Sequence, residues 1–343
     1  MQKKSRINHE AEEWFAMQPI LEVDSLKVVL QTKQRTIHAV NNVTFHVRTG
    51  ETVGLVGESG SGKSITCRSI LQLLPTPQGK VVSGGIRFAG KDLLSYSKKQ
   101  MQELRGREIG MVLQDPMSSL DPVYRVGEQL VETLRTHTKI SKKDAWQKAV
   151  ELLRLVGIPS PEKRVHDYPH QMSGGMRQRV MIALAICCDP KLLLADEPTT
   201  ALDVTVQDQV LSLMKEIQQR LGMAILIVTH NLGVVAEMCD RVVVLYAGKV
   251  METAATSDLF QTPRHAYTLG LIHSVPRIES EEKLEGIPGT LPDMSHAIKG
   301  CPFRERCSFA TSECSFDEHT QLKEVAPGHW SACFHHERVC RQA

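Results

Sequence analysis

Eight consecutive residues, Gly57-Glu58-Ser59-Gly60-Ser61-Gly62-Lys63-Ser64, most constrain what this 343-residue chain can fold into. They fit the pattern G-x-x-x-x-G-K-[ST], a glycine loop whose backbone N–H groups converge on a polyphosphate. The flanks suit that role. The apolar run Glu51–Val56 predicts a buried strand, and Ser64–Leu74 predicts a helix. A strand feeding such a loop at a helix N-terminus aims N–H groups and the positive helix end at one point. Lys63 would then reach the β- and γ-phosphates, and the Ser64 hydroxyl would sit on Mg²⁺.

The surrounding pattern predicts an α/β fold. Leu21–Leu30 and Ile37–Val47 alternate apolar and polar residues, as paired half-buried strands do. Lys191–Asp196 and Met223–Thr229 are continuous apolar runs, typical of strands buried on both faces. Between them Val206, Val210, Leu213, Met214, Ile217 and Leu221 recur at helical spacing, which completes a β-α-β unit. Arg241–Tyr246 and Lys249–Glu252 read as a hairpin around Ala247-Gly248. In the middle, Val126–Leu134 and Asp144–Val156 read as helices, the second opened by Ser141 and closed at Gly157. This is a helical subdomain, about residues 115–172, inserted into the core. From Gln261 prolines multiply, and a loop-rich extension, residues 261–343, is expected after a nucleotide-binding domain spanning 19–260. Residues 1–18 are expected to be an N-terminal extension, for which a plain disordered segment is the favoured reading and a short amphipathic patch of Trp14, Phe15 and Met17 the alternative.

Charge and hydropathy exclude several classes. The net charge of +2 offers no electrostatic case for nucleic acid. No run approaches the ~20 apolar residues of a spanning helix; Val180–Cys188 is about half that length. Lys3, Lys4 and Arg6 are followed by no apolar stretch, so no signal peptide is expected.

Other candidate chemistry is spread along the chain. Leu192–Glu197 is an apolar strand ending in two carboxylates. Asp196 suits Mg²⁺ binding through water, and Glu197 suits general-base activation of an attacking water. Ser173-Gly174-Gly175, opening the helix that holds Val180, Met181, Leu184 and Ile186, offers a second anion site, although taken alone an ordinary N-cap with a glycine turn is the favoured reading. Gln114 and His230 each follow an apolar strand, where open α/β sheets bind ligands.

In this order the segments resemble the ATP-binding cassette of ABC transporters, over about Leu21–Glu252. Gly57–Ser64 resembles Walker A, Gln114 the Q-loop glutamine, and Ser173–Gln178 the signature. Leu192–Glu197 resembles Walker B with its catalytic glutamate, Ala201-Leu202-Asp203 the D-loop, and His230 the switch histidine. Met172 and Met176 depart from the commoner leucine and glutamine. No aromatic residue for stacking on adenine stands in Lys33–His38, which offers Gln34, Ile37 or His38.

The resemblance implies a P-loop ATPase fold: a RecA-like parallel-sheet core, an antiparallel β subdomain and the helical insertion. It implies ATP contacts from Gly57, Ser59, Gly60, Ser61, Gly62, Lys63, Ser64, Ile65 and Asp196, with Ser64 and Gln114 on Mg²⁺. Ser173 and Gly175 would serve the ATP of a facing cassette, and Gly174 and Asp203 would also bind nucleotide. Glu197, His230 and Gln114 would be catalytic.

Five of nine cysteines fall in the last 43 residues, while Cys67, Cys187, Cys188 and Cys239 look like small buried apolar groups. Cys301, Cys307, Cys314 and Cys333 are separated by five, six and eighteen residues, without the C-x-x-C knuckle of structural zinc sites. Thiolates so spaced suit Zn²⁺, an iron–sulfur cluster, or no metal at all. Gly300-Cys301-Pro302-Phe303 through Cys314, with His329 and Cys333, resembles the C-terminal extension of the oligopeptide/dipeptide/nickel importer subfamily. So does Thr262–Thr268, although Ala266 stands where that subfamily favours proline. The resemblance implies a 4Fe–4S cluster on Cys301, Cys307, Cys314 and Cys333, with Zn²⁺ as the alternative and Cys340 outside the set.

The expected function is therefore the ATPase subunit of a bacterial peptide importer, with a nickel or other small-solute importer as alternative. Expected partners are a second related cassette, two transmembrane permeases and an extracytoplasmic peptide-binding protein, at the cytoplasmic face of the inner membrane. A cassette ATPase acting on DNA or ribosomes fits less well: only 58 residues separate Gln114 from Ser173, too few for a long coiled-coil insertion, and the chain holds one cassette.

Overall fold

The computed structural model describes residues 19–33, 35–114, 119–200, 202–275 and 286–342. The Trp14, Phe15 and Met17 patch, Gln34 and Ala201 lie outside the described residues. The chain forms two compact units, one built on residues 47–51 and 95–227, the other on 21–46, 52–94 and 228 onward.

The phosphate loop belongs to the second unit. Strands β1 (Pro19–Gln31) and β2 (Thr36–Arg48) bury alternate apolar residues, among them Leu21, Val23, Val43, Phe45 and Val47. They are followed by β3 (Thr52–Val56), buried along its whole length, and α1 (Lys63–Ile70). The helix stops four residues short of the predicted Leu74. Gln72 takes a positive φ of 52°, and Pro75 and Pro77 follow, which disfavours helix in the residues before them. Strands β4 (Gly79–Phe88) and β5 (Lys91–Asp92) complete an antiparallel sheet of order β2-β1-β4-β5.

The other unit carries α2 (Lys98–Leu104), β6 (Ile109–Val112), α3 (Val126–His137), α4 (Lys142–Leu155) and α5 (Pro161–Arg164). Then come α6 (Gly174–Ile186), β7 (Leu192–Asp196) and α7 (Val204–Leu221). Ser141 caps α4 by accepting the Asp144 N–H. Leu130 and Leu134 of α3 and Leu152 and Leu153 of α4 are buried, each removed from water for about 2 kcal/mol. Strands β6 and β7 pair in parallel, Ile109 opposite Leu192.

β8 (Ala224–Thr229) carries the chain back to the phosphate-loop unit, where α8 (Leu232–Met238) and β9 (Arg241–Tyr246) follow. β9 pairs in parallel with β3, Val53 opposite Arg241. It turns at Ala247-Gly248 into antiparallel β10 (Lys249–Ala255), as predicted. Next are α9 (Thr256–Gln261) and α10 (Ala266–His273). The extension is more regular than its prolines suggest. It adds β11 (Lys323–Ala326), β12 (His329–Ser331) and α11 (His336–Cys340), and β12 pairs antiparallel with β10. Within this unit the strands run β11-β12-β10-β9-β3. No helix among the described residues is long and apolar enough to cross a membrane.

Candidate functional site

The loop after β3 has the geometry its glycines allow. Gly62, at φ +102°, is the N-cap of α1, and a Cβ there would lie 2.3 Å from the Ala39 carbonyl oxygen. A Cβ on Gly57, at φ +146°, would lie 2.1 Å from the Leu245 carbonyl oxygen. Any side chain at either position collides with backbone. Lys63 is buried, and its Nζ donates to the carbonyls of Gly57 (2.7 Å) and Glu58 (2.9 Å). Ser59 and Gly60 are exposed at the mouth, and Ser64 and Ile65 are half-buried on the first turn of α1. The Ser61 hydroxyl is buried with no hydrogen-bond partner among the described residues. An unsatisfied donor in a ring of N–H groups, with one lysine, fits a polyphosphate.

The second group of residues, His230 apart, lies in the other unit. Asp196, the last residue of β7, is fully buried. Glu197 is half-buried and adopts φ +50°, a left-handed conformation that costs a non-glycine residue about 1–2 kcal/mol. Its carboxylate accepts from Gln114 Nε2 (2.8 Å) and from Thr200 Oγ1 (3.0 Å). The parallel pairing of β6 with β7 explains this meeting, because Gln114 and Glu197 follow the ends of neighbouring strands. Ser173 is the N-cap of α6, its hydroxyl accepting the Met176 N–H, and Ser173 and Gly174 are exposed. Asp203 caps α7 by accepting the Val206 N–H at 2.9 Å. A Cβ on Gly175 would lie 2.7 Å from Val206 Cγ1, so these two helix starts adjoin. His230 follows β8 and is exposed, ahead of Asn231, which caps α8.

The extension folds against the phosphate loop within one unit. Glu58 N–H donates to the Tyr267 hydroxyl (2.7 Å). Both Glu58 carboxylate oxygens accept from the Arg306 guanidinium (2.7 and 3.0 Å). Burial opposes the Arg306 charge, but hydrogen bonds to Glu58 and Tyr246 outweigh it and hold the group above its ordinary pKa. Glu252 of β10 is fully buried. It accepts the N–H groups of Arg264 (2.6 Å) and His265 (3.0 Å) and lies 2.6 Å from His329 Nε2. Sequence reasoning missed Glu252, Tyr267 and Arg306. A lone acid inside an apolar strand was the available signal for Glu252; Tyr267 and Arg306 lie in Thr262–Thr268 and Gly300–Cys314, segments singled out by resemblance, but nothing in either linked them to the phosphate loop.

Cys301 and Cys314 are joined by a backbone hydrogen bond of 2.8 Å, and Cys301, Cys314 and Cys333 are buried while Cys307 is half-buried. Burial pushes the Cys301 thiol up to about 11 and the Cys333 thiol to about 12, and raises Cys307. Smaller increments come from one another: Cys307 and Cys314 act on Cys301, Cys314 on Cys307, and Cys301 and Cys307 on Cys333. Yet among the described residues no three His, Cys, Asp or Glu side chains stand close enough to hold a metal ion. The geometry therefore does not support the expected Zn²⁺ alternative and does not by itself carry a cluster. Burial drives His265 down to about 4, so the ring is neutral. Its Nδ1 accepts the Tyr267 N–H (3.0 Å), which puts the proton on Nε2, 4.0 Å from Cys301 Sγ. Of the other cysteines, Cys67, Cys187 and Cys239 are buried as expected and Cys188 is half-buried.

A family model described as ABC transporter matches residues 40–200, and one described as Oligopeptide/dipeptide transporter, C-terminal region, matches residues 251–314. The chain is 51% identical over 313 residues to the oligopeptide transport ATP-binding protein OppD of Bacillus subtilis, covering 91% of this chain and 87% of that protein. It is 48% identical over 322 residues to a probable peptide ABC transporter ATP-binding protein, y4tR, of Sinorhizobium fredii, covering 93% and 96%. Among solved structures, the ATP-binding cassette MJ0796 in a post-hydrolysis dimer with ADP and Pi aligns with TM-score 0.62 at 26% identity. That alignment covers 69% of this chain and 98% of the other.

Proposed function

This chain belongs to the ABC transporter family, and we propose that within it the protein is the ATP-hydrolysing subunit of a bacterial peptide importer. The reading is carried by one observation: the cassette and the oligopeptide-type C-terminal region stand on one chain, along which relatives named for peptide transport match over nine-tenths of its length.

The roles follow from the groups each residue presents. The loop from Gly57 to Ser64, with Ile65, takes the phosphates of ATP on backbone N–H groups, and Lys63 neutralises the β- and γ-phosphates. Ser64 and Gln114 would hold Mg²⁺, with Asp196 binding it through water, and the ion would supply charge neutralisation on those phosphates. Glu197 accepts the proton of the water that attacks the γ-phosphorus, and ADP leaves as the P–O bond breaks. The Gln114–Glu197 hydrogen bond supports this by holding the carboxylate that receives the proton. His230 positions the same water. Ser173, Gly174, Gly175 and Asp203 serve the ATP bound to a second, related cassette, so that ATP closes the pair and hydrolysis reopens it. The motion drives two separate transmembrane permeases fed by an extracytoplasmic peptide-binding protein, with this subunit peripheral at the cytoplasmic face.

The proposal extends to a 4Fe–4S cluster on Cys301, Cys307, Cys314 and Cys333. A donor set made only of cysteines, three of them buried and one half-buried, supports it. When bound, it would supply a structural staple for the extension.

The test is Glu197→Gln in the assembled transporter. ATP should still bind, while turnover falls by at least about a hundredfold. Turnover that persists would remove Glu197 as the base.

A further inference from the structure

We propose that Arg306, contributed by the C-terminal region, is a positioning residue for the phosphate loop: it pairs with Glu58, cancelling the loop's one negative charge and fixing its second residue. The inference rests on the reading of Gly57–Ser64 as the ATP site.

The contacts are dense and directional. Glu58 is the single acid in the eight-residue loop. The Arg306 guanidinium grips its carboxylate with both terminal nitrogens, at 2.7 and 3.0 Å. The remaining donors are used as well. Nε donates to the Pro288 carbonyl at 2.7 Å, and the terminal nitrogens also donate to the Ile287 carbonyl and the Tyr246 hydroxyl, both at 3.2 Å. The guanidinium lies 5.7 Å from the Tyr246 ring centre and 5.8 Å from that of Phe303, and its side chain is only 7% exposed. A planar fork so packed is held in one orientation. The Tyr267 hydroxyl holds the Glu58 N–H at 2.7 Å, so the extension fixes both the backbone and the side chain of this residue.

The pair has an electrostatic consequence. Glu58 directly follows Gly57, and the Lys63 ammonium sits on the carbonyls of both residues. Stripped of Arg306, the carboxylate would repel the phosphates that Lys63 attracts, and it would compete for the Lys63 ammonium. Stripped of Glu58, Arg306 would add a positive charge beside the same loop. The two single substitutions must therefore move nucleotide affinity in opposite directions.

The experiment is calorimetric titration of MgATP and MgADP into the purified full chain and its variants, with melting temperatures recorded separately. Arg306→Met should weaken binding about tenfold or more. Glu58→Gln should tighten it several-fold, and Glu58→Gln/Arg306→Met should return it to within about threefold of the parent. Arg306→Lys, which keeps the charge without the fork, should fall between the parent and Arg306→Met. If Arg306→Met does not fold, the tightening by Glu58→Gln decides. Loss of packing alone would weaken binding in both single variants and give no recovery in the double; that result, or an Arg306→Met variant that binds like the parent, overturns the proposal. A parent chain that binds no MgATP would overturn the ATP-site reading and this inference together.

Discussion

Replacing Glu252 with alanine should loosen the extension where β12 joins β10. The carboxylate is fully buried and is the shared acceptor for the Arg264 and His265 N–H groups and the His329 ring. Its removal leaves three buried donors unsatisfied at about 1–2 kcal/mol each, about 4 kcal/mol together. Glu252 also pairs opposite Ser331 in the β10–β12 ladder, so the loss falls where the extension joins the sheet. His329→Ala removes one donor and leaves the carboxylate its two backbone partners, so it should cost about 1–2 kcal/mol. Amide hydrogen exchange is the assay. At about 1.4 kcal/mol per decade, protection in His329–Ser331 should fall roughly a thousandfold in Glu252→Ala and about tenfold in His329→Ala. The amides of α4, in the other unit, should not change. A drop of less than tenfold in Glu252→Ala, or a larger effect from His329→Ala, would refute the reasoning.

Gly62→Ala should abolish MgATP binding and lower the melting temperature, because its Cβ would sit 2.3 Å from the Ala39 carbonyl oxygen at a φ of +102°; retained binding would show that the loop tolerates another path. His265 is held neutral to about pH 4 by burial, whereas an unfolded histidine protonates near 6.5. The unfolded state therefore binds more protons between those values, and stability, complete above about 6.5, should fall by up to about 1.4 kcal/mol per unit as pH drops towards 4. His265→Asn, compared with the parent by urea unfolding at pH 7 and pH 5, should lose less on acidification; equal losses would sink the assignment. Anaerobically purified protein should carry about four irons and four sulfides per chain and lose them in Cys333→Ser; a colourless protein with about one zinc would refute the cluster.

What was legible in the sequence was what is local. Gly57–Ser64 declares its chemistry in eight contiguous residues, and the strands and helices around it follow a period of two or 3.6 over enough residues to be counted. Ser141 announces a helix start by residue type and proves to be an N-cap, whereas Asp203, read only as part of a D-loop, turns out to cap α7 as well. The extension resisted for the opposite reason. β11 and β12 span four and three residues, too few to show alternation, although Pro327-Gly328 marks the turn between them. α1 ends early because Gln72 adopts a left-handed conformation that its type does not advertise. Glu58 and Arg306 stand 248 positions apart, and no spacing rule links residues that only the fold brings together. The Gln114–Glu197 contact lies between these cases: both were read from strand ends, but their meeting depends on β6 lying beside β7.

The place of β12 in the sheet bears on how the protein behaves in a crowded solution. Without it, β10 would be an outermost strand, its backbone N–H and C=O groups open along one side and its apolar residues Val250 and Met251 nearby. With it, the outermost strand is β11, only four residues long, led by the exposed charges of Lys323 and Glu324 and ended by a proline turn. Short, charged and proline-bounded is how natural sheets discourage a neighbour from adding its own strand. A cassette trimmed before residue 323 therefore trades a guarded rim for a sticky one, and should be recovered as aggregates even where its ATP site is intact.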